Sequence, residues 1–194
     1  LLWGERGCGK SSLVRAVFTK FYKEGLRIIE IGCEDLKYLG DIIDEIRKSE
    51  FKFIIFCDDL SFEAGDMSYK FLKPVLEGSI EKAPKNVLVY ATSNRRHLIS
   101  ELKSDNEGAR VGETELHYSD AVEEKIALSD RFGLWLSFYQ GSFADYLKIV
   151  DFYFKDFVGD RAMLHELAKQ YAQLRASRSG RTARQFYLSY KDKI

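Results

Sequence analysis

Cysteine is scarce in this sequence of 194 residues: Cys8, Cys33 and Cys57 stand far apart, and no C-x-x-C pair occurs. An odd number at wide spacing does not build a disulfide framework, and the three read as reduced thiols in a cytosolic protein. Histidine is equally sparse. His97, His117 and His165 are too scattered for metal-ligand spacing. No apolar run approaches the length of a membrane span and no signal peptide is visible, so a membrane partner is not expected and a cytoplasmic location is. Charge of one sign is also missing: 30 Lys and Arg face 30 Asp and Glu. A net charge of zero argues against binding nucleic acid with the whole surface, though not against a local basic patch. There is no internal repeat. With 45% hydrophobic residues, the chain can form a sizeable core, as one medium domain or a core domain with a small appendage.

At the start of the chain, Gly4-Glu5-Arg6-Gly7-Cys8-Gly9-Lys10-Ser11 matches the pattern G-x-x-x-x-G-K-S/T without a mismatch. Apolar Leu1-Leu2-Trp3 precedes it, and Ser12-Leu13-Val14-Arg15-Ala16-Val17-Phe18 continues as a helix. Strand, glycine loop and helix in that order form a phosphate-binding loop. Glycines let the backbone N–H groups turn towards phosphate oxygens, and the helix N-terminus adds its positive dipole end. Lys10 is expected to reach the β- and γ-phosphates, and Ser11 to ligate Mg²⁺. Cys8 inside the loop is either oxidation-sensitive or a small residue that fits, and the second reading is preferred. Only three residues stand before the loop and the chain does not begin with Met, so a longer native N-terminus is expected.

Beyond the loop, the pattern alternates. A helix is expected over Ser11–Tyr22 and a strand over Arg27–Ile31. Leu36, Leu39, Ile42, Ile43 and Ile46 follow at helical spacing. Phe51–Cys57 is a nearly continuous apolar run, as for a strand buried on both faces. Met67–Leu76 reads as a helix with Pro74 near its end, Val87–Ala91 as a buried strand, and Leu134–Tyr139 as the last strand. Residues 101–120 are polar and read as a long loop. From about Ser142, three helical stripes follow: Tyr146, Ile149, Val150, Tyr153 and Phe157; then Leu164, Leu167, Ala168, Tyr171 and Leu174; then Ala183, Phe186, Tyr187 and Tyr190. The expected fold is an α/β sandwich with a parallel sheet over 1–141 and a small helical unit over 142–194.

Several polar residues stand at strand ends, where ligands bind in open α/β folds. The run Phe53-Ile54-Ile55-Phe56-Cys57 ends in Asp58-Asp59, so Asp58 is expected to hold Mg²⁺ and Asp59 to polarise an attacking water. Asn94 closes Val87–Asn94 and either orients that water or caps a helix over Arg95-Arg96-His97-Leu98. Arg131, in Ser129-Asp130-Arg131-Phe132-Gly133, is a candidate arginine finger supplied to a neighbouring subunit, or half of a surface ion pair. Arg184, with Arg181 as competitor, is a candidate sensor of bound nucleotide, or part of a basic face with Arg175, Arg178, Lys191 and Lys193.

In this order the elements resemble an AAA+ ATPase across nearly the whole chain: Walker A at 4–11, Walker B at 53–59, sensor 1 at Asn94, arginine finger at Arg131 and sensor 2 at Arg184. More narrowly, the stretches Phe56–Glu63, Thr92–Leu98, Glu123-Glu124-Lys125, Leu128–Leu134 and Ala183-Arg184-Gln185-Phe186 resemble an uncharacterised prokaryotic AAA+ family. The resemblance implies a five-stranded αβα core with a helical lid, ATP held by Gly4–Ser11, Ser12 and Arg184, Mg²⁺ held by Ser11 and Asp58, and an oligomer. It supplies no substrate. One departure is that the usual Asp-Glu pair is here Asp58-Asp59, with Glu63 nearby as a substitute. The leading expectation is an ATPase that remodels an unidentified macromolecule. The alternatives are an ATP-dependent binding switch with little hydrolysis and a small-molecule kinase. Direct nucleic-acid binding is the less favoured addition.

Overall fold

The computed structural model describes residues 1–62, 66–77, 84–96, 98 and 128–193. The expected loop at 101–120, together with Glu63, His97, His117 and Glu123-Glu124-Lys125, lies outside them. Strand β1 (Leu2–Gly4) leads through the glycine loop into α1 (Lys10–Phe21). Then follow β2 (Leu26–Ile31), α2 (Leu39–Ile46), β3 (Lys52–Cys57), α3 (Lys73–Glu77), β4 (Val87–Ser93) and β5 (Leu136–Phe138). Helices α4 (Phe143–Tyr153), α5 (Arg161–Leu174) and α6 (Gly180–Tyr190) close the chain. The strands form a five-stranded sheet in the order β2-β3-β4-β1-β5. Its parallel pairs put Ile29 opposite Ile55, Ile55 opposite Val89, and Trp3 opposite Ser93. Parallel strands align their carboxyl ends on one edge, so the residues that follow β3 and β4 share that edge.

The chain divides into two compact units: Leu1–Trp3 with Ser11–Ser137, and Gly4–Lys10 with Phe138–Ile194. In the first, Ile54, Ile55, Phe56 and Cys57 of β3 are all buried, which explains why that run carries no period-two alternation. Burial pushes the Cys57 thiol up to about 12, so this sulfur is an inert core group. The segment expected as one helix over Met67–Leu76 is instead a 3₁₀ turn, Ser68–Phe71, followed by α3. Pro74 is the second residue of α3. A proline fits the first turn of a helix because the N–H it lacks has no intrahelical partner there.

In the second unit, all three helices begin on side-chain caps. Ser142 and Asp145 form a capping box on α4, Asp160 accepts from Ala162 and Met163, and Ser179 accepts from Thr182. The hydroxyl of Ser142 holds the Asp145 carboxyl below its ordinary range. The three apolar stripes meet in one core built on Tyr146, Val150, Phe154, Leu164, Ala168 and Phe186. Tyr146 is fully buried, and its hydroxyl has no hydrogen-bond partner among the described residues. Burial raises that phenol to about 12. Tyr146→Phe removes a buried hydroxyl that makes no bond among the described residues, so stability should rise by about 1 kcal/mol or stay level in denaturant unfolding. A loss of about 1 kcal/mol or more would mean that the hydroxyl is bonded in solution.

Candidate functional site

The glycine loop lies in the second unit. Gly4 has φ +131°, and a Cβ there would fall 1.9 Å from the backbone oxygen of Phe138. That close approach lets the Glu5 N–H donate to the same oxygen at 2.9 Å, which anchors the start of the loop. Gly7 has φ +78°, and a Cβ on it would meet Ser179 Oγ at 2.8 Å and Arg181 Cβ at 3.0 Å. The Arg181 N–H donates to the Gly7 carbonyl at 3.4 Å. The middle of the loop therefore rests on the first turn of α6. Lys10 is buried, and its Nζ donates to Gly4 O at 2.7 Å and Glu5 O at 2.9 Å. The Cys8 thiol is held above its ordinary range, first by burial and then by the Glu5 carboxylate, against the opposing pull of Lys10. A thiol kept protonated is a weak nucleophile, which suits its reading as a small residue that fits.

The second group of site residues lies in the first unit. Ser11 Oγ donates to Asp58 Oδ1 at 2.7 Å. Thr92 Oγ1 donates to the same oxygen at 2.6 Å and accepts from the Asp59 N–H at 2.8 Å. Asn94 Nδ2 donates to Asp59 Oδ1. Asp58 and Asp59 are exposed at the end of β3, whereas Thr92, at the end of β4, is buried. Asp59 adopts φ 52°, a left-handed conformation that is uncommon outside glycine, although aspartate tolerates it better than most residues. The structure thus brings Ser11, Asp58, Asp59 and Asn94 into one hydrogen-bonded group. Asn94 turns its side chain to Asp59, and residues 94–96 form a bend rather than a helix. Ser11 and Asp58 offer two hard oxygen donors, one of them exposed, and this donor set fits magnesium.

The remaining expected residues are more dispersed. Glu5, Arg6 and Ser12 are exposed, and Gly9 is half-buried. Arg131 is half-buried in the turn that follows helical residues 128–130, and its N–H donates to Leu128 O at 3.3 Å. Arg184 is exposed on α6, one turn beyond Arg181, the residue whose N–H meets Gly7. Sequence reasoning missed Thr92 and Ser179. Thr92 stands two residues before Asn94, but a β-branched residue inside a strand signals strand propensity and nothing more. Ser179 is visible as a helix cap before Gly180, but its position against Gly7 is not.

The family model for "Protein of unknown function (DUF815)" matches residues 1–194. No curated protein matches the chain. Among solved structures, the FIGL-1 AAA domain in complex with ADP is similar over 99% of this chain and 61% of its own, with TM-score 0.58 and 18% identity. The replication initiator DnaA bound to AMPPCP and single-stranded DNA is similar over 99% of this chain and 54% of its own, with TM-score 0.58 and 16% identity. The Thermotoga maritima RuvB Holliday junction branch migration motor is similar over 97% and 60%, with TM-score 0.51 and 12% identity. The chain thus spans about three fifths of these proteins or less, and at such identities the likeness is one of fold. Matched by its model from end to end, the chain belongs to the DUF815 family, and its fold is that of the AAA+ P-loop ATPases.

Proposed function

We propose that this chain is a Mg-ATP-dependent ATPase module that couples hydrolysis, within an oligomer, to the remodelling of a macromolecule. The observation that carries this reading is the hydrogen-bonded group that joins Ser11, in the first turn of α1, to Asp58, Thr92, Asp59 and Asn94 at the ends of β3 and β4. The loop Gly4–Ser11 binds the phosphates, with Glu5, Arg6, Cys8 and Gly9 contributing backbone and Lys10 the buried cation. Ser11 and Asp58 hold magnesium, which, when bound, supplies charge neutralisation at the β- and γ-phosphates. Asp59 orients and polarises the attacking water, and Asn94 holds its carboxylate in place. Arg184, in the helical lid at 142–194, senses the nucleotide, and Arg131 serves the active site of a neighbouring subunit. A cytoplasmic location belongs to this reading and is supported by three free cysteines. A membrane is not part of it, and direct nucleic-acid binding is its less favoured addition.

The test is ATP hydrolysis by the full-length protein against protein concentration. Specific activity should rise with concentration as subunits meet, and Arg131→Ala should lower turnover by roughly 10³-fold without preventing assembly. An Arg131→Ala variant that assembles and keeps full activity would overturn the shared site. A second reading, an ATP-held switch with little turnover, is favoured by the short carboxylate of Asp59 where these ATPases usually carry Glu. Tight ATP binding with near-zero turnover by assembled protein would support the switch. Turnover that disappears in Asp59→Ala would reject it.

A further inference from the structure

We propose that Thr92 is a positioning residue that couples the metal-side carboxylate Asp58 to the water-side residue Asp59. A threonine hydroxyl has one proton to give and lone pairs to receive with. Here the Asp59 N–H donates into it at 2.8 Å, and its own proton goes to Asp58 Oδ1 at 2.6 Å. The backbone oxygen of Thr92 also accepts from Leu60 N–H at 2.7 Å. Three consecutive residues after β3 are therefore tied to one residue of β4. Thr92 is only 1% exposed while both aspartates are exposed, so the buried partner fixes the position of the exposed ones.

This arrangement answers a difficulty in the sequence. An aspartate is one methylene shorter than glutamate, so the position of its backbone decides more of where its carboxylate lies. Thr92 holds the Asp59 peptide, and with it the left-handed φ of 52°, while Asn94 holds the carboxylate. The bond chain also has a direction, N–H to O–H to carboxylate, and each bond polarises the next. A change in the charge felt by Asp58 Oδ1 is transmitted to the Asp59 peptide through a single proton donor.

The inference rests on the proposed ATPase reading, but its first readout does not. In the full-length protein without nucleotide or metal, Thr92→Val keeps the side-chain shape and removes the hydroxyl. Hydrogen exchange at the Asp59 amide should accelerate by roughly tenfold or more as that N–H loses its acceptor. With ATP, kcat should fall by about 10- to 100-fold, and the Mg²⁺ concentration for half-maximal nucleotide affinity, read with a fluorescent ATP analogue, should rise by a similar factor. KM for ATP should change much less. Thr92→Ser, which keeps the hydroxyl, should recover most of each loss, and Thr92→Ala serves as a second hydroxyl-free variant if Val does not fit. If wild type hydrolyses ATP and Thr92→Val matches it in kcat, magnesium dependence and amide exchange, the coupling is wrong and the ATPase reading stands. If wild type does not hydrolyse ATP, the hydrolysis reading fails, and unchanged exchange and magnesium dependence in Thr92→Val would overturn the coupling separately.

Discussion

Lys10→Ala is expected to lower ATP affinity by roughly 10³-fold while leaving the protein folded. Lys10 is a buried cation within the glycine loop, and its charge acts in a medium that screens it poorly. A unit charge about 4 Å from a phosphate oxygen contributes about 4 kcal/mol at an effective dielectric constant of about 20, which is close to a thousandfold in affinity. Lys10 donates to Gly4 O at 2.7 Å and Glu5 O at 2.9 Å. Losing those bonds costs about 1–2 kcal/mol of stability, because a truncated side chain admits water to the exposed Glu5 end. Binding should therefore fail well before folding does. Calorimetric titration with ATP, beside thermal unfolding of the empty protein, separates the two effects. An affinity within about threefold of wild type would remove Lys10 from the phosphate site.

Gly4→Ala should do the opposite, damaging the fold first. Its Cβ would lie 1.9, 2.8 and 2.9 Å from the backbone O, C and N of Phe138, and a strand backbone cannot rotate aside as a side chain can. A φ of +131° adds strain for any L side chain. We expect a loss of about 3–5 kcal/mol, seen as a lower denaturant midpoint with an unchanged slope. Gly9→Ala is the internal comparison. Gly9 also has positive φ, +99°, but a Cβ there meets nothing within 4 Å. Its cost should be the strain alone, about 1–2 kcal/mol. Equal losses in the two variants would show that the contact with Phe138 does not decide the role of Gly4.

The parts of this fold legible in the sequence are those governed by local pattern. The glycine loop, the helix after it, the apolar run ending in Asp58-Asp59 and the strand leading to Asn94 all announce themselves by residue type and order. So do the three apolar stripes of the C-terminal helices. What escaped depends on partners distant in sequence. Nothing local shows that the Thr92 hydroxyl serves both aspartates, that the Tyr146 hydroxyl is buried with no partner among the described residues, or that Ser179 and Arg181 abut Gly7. Pro74 lies at the start of α3 and not at a helix end for a related reason: proline marks a helix boundary, but only the neighbouring turn shows which boundary.

The contact between Gly7 and the start of α6 can carry force in either direction. The Gly7 carbonyl is bound by the Arg181 N–H, and the Ser179 side chain fills the space beside it. An anion that displaced Gly7 would push on the first turn of the 11-residue helix α6. The converse holds by thermodynamic necessity. A molecule that grips α6 and shifts it changes the grip of the loop on its ligand by the same factor by which that ligand changes the grip on α6.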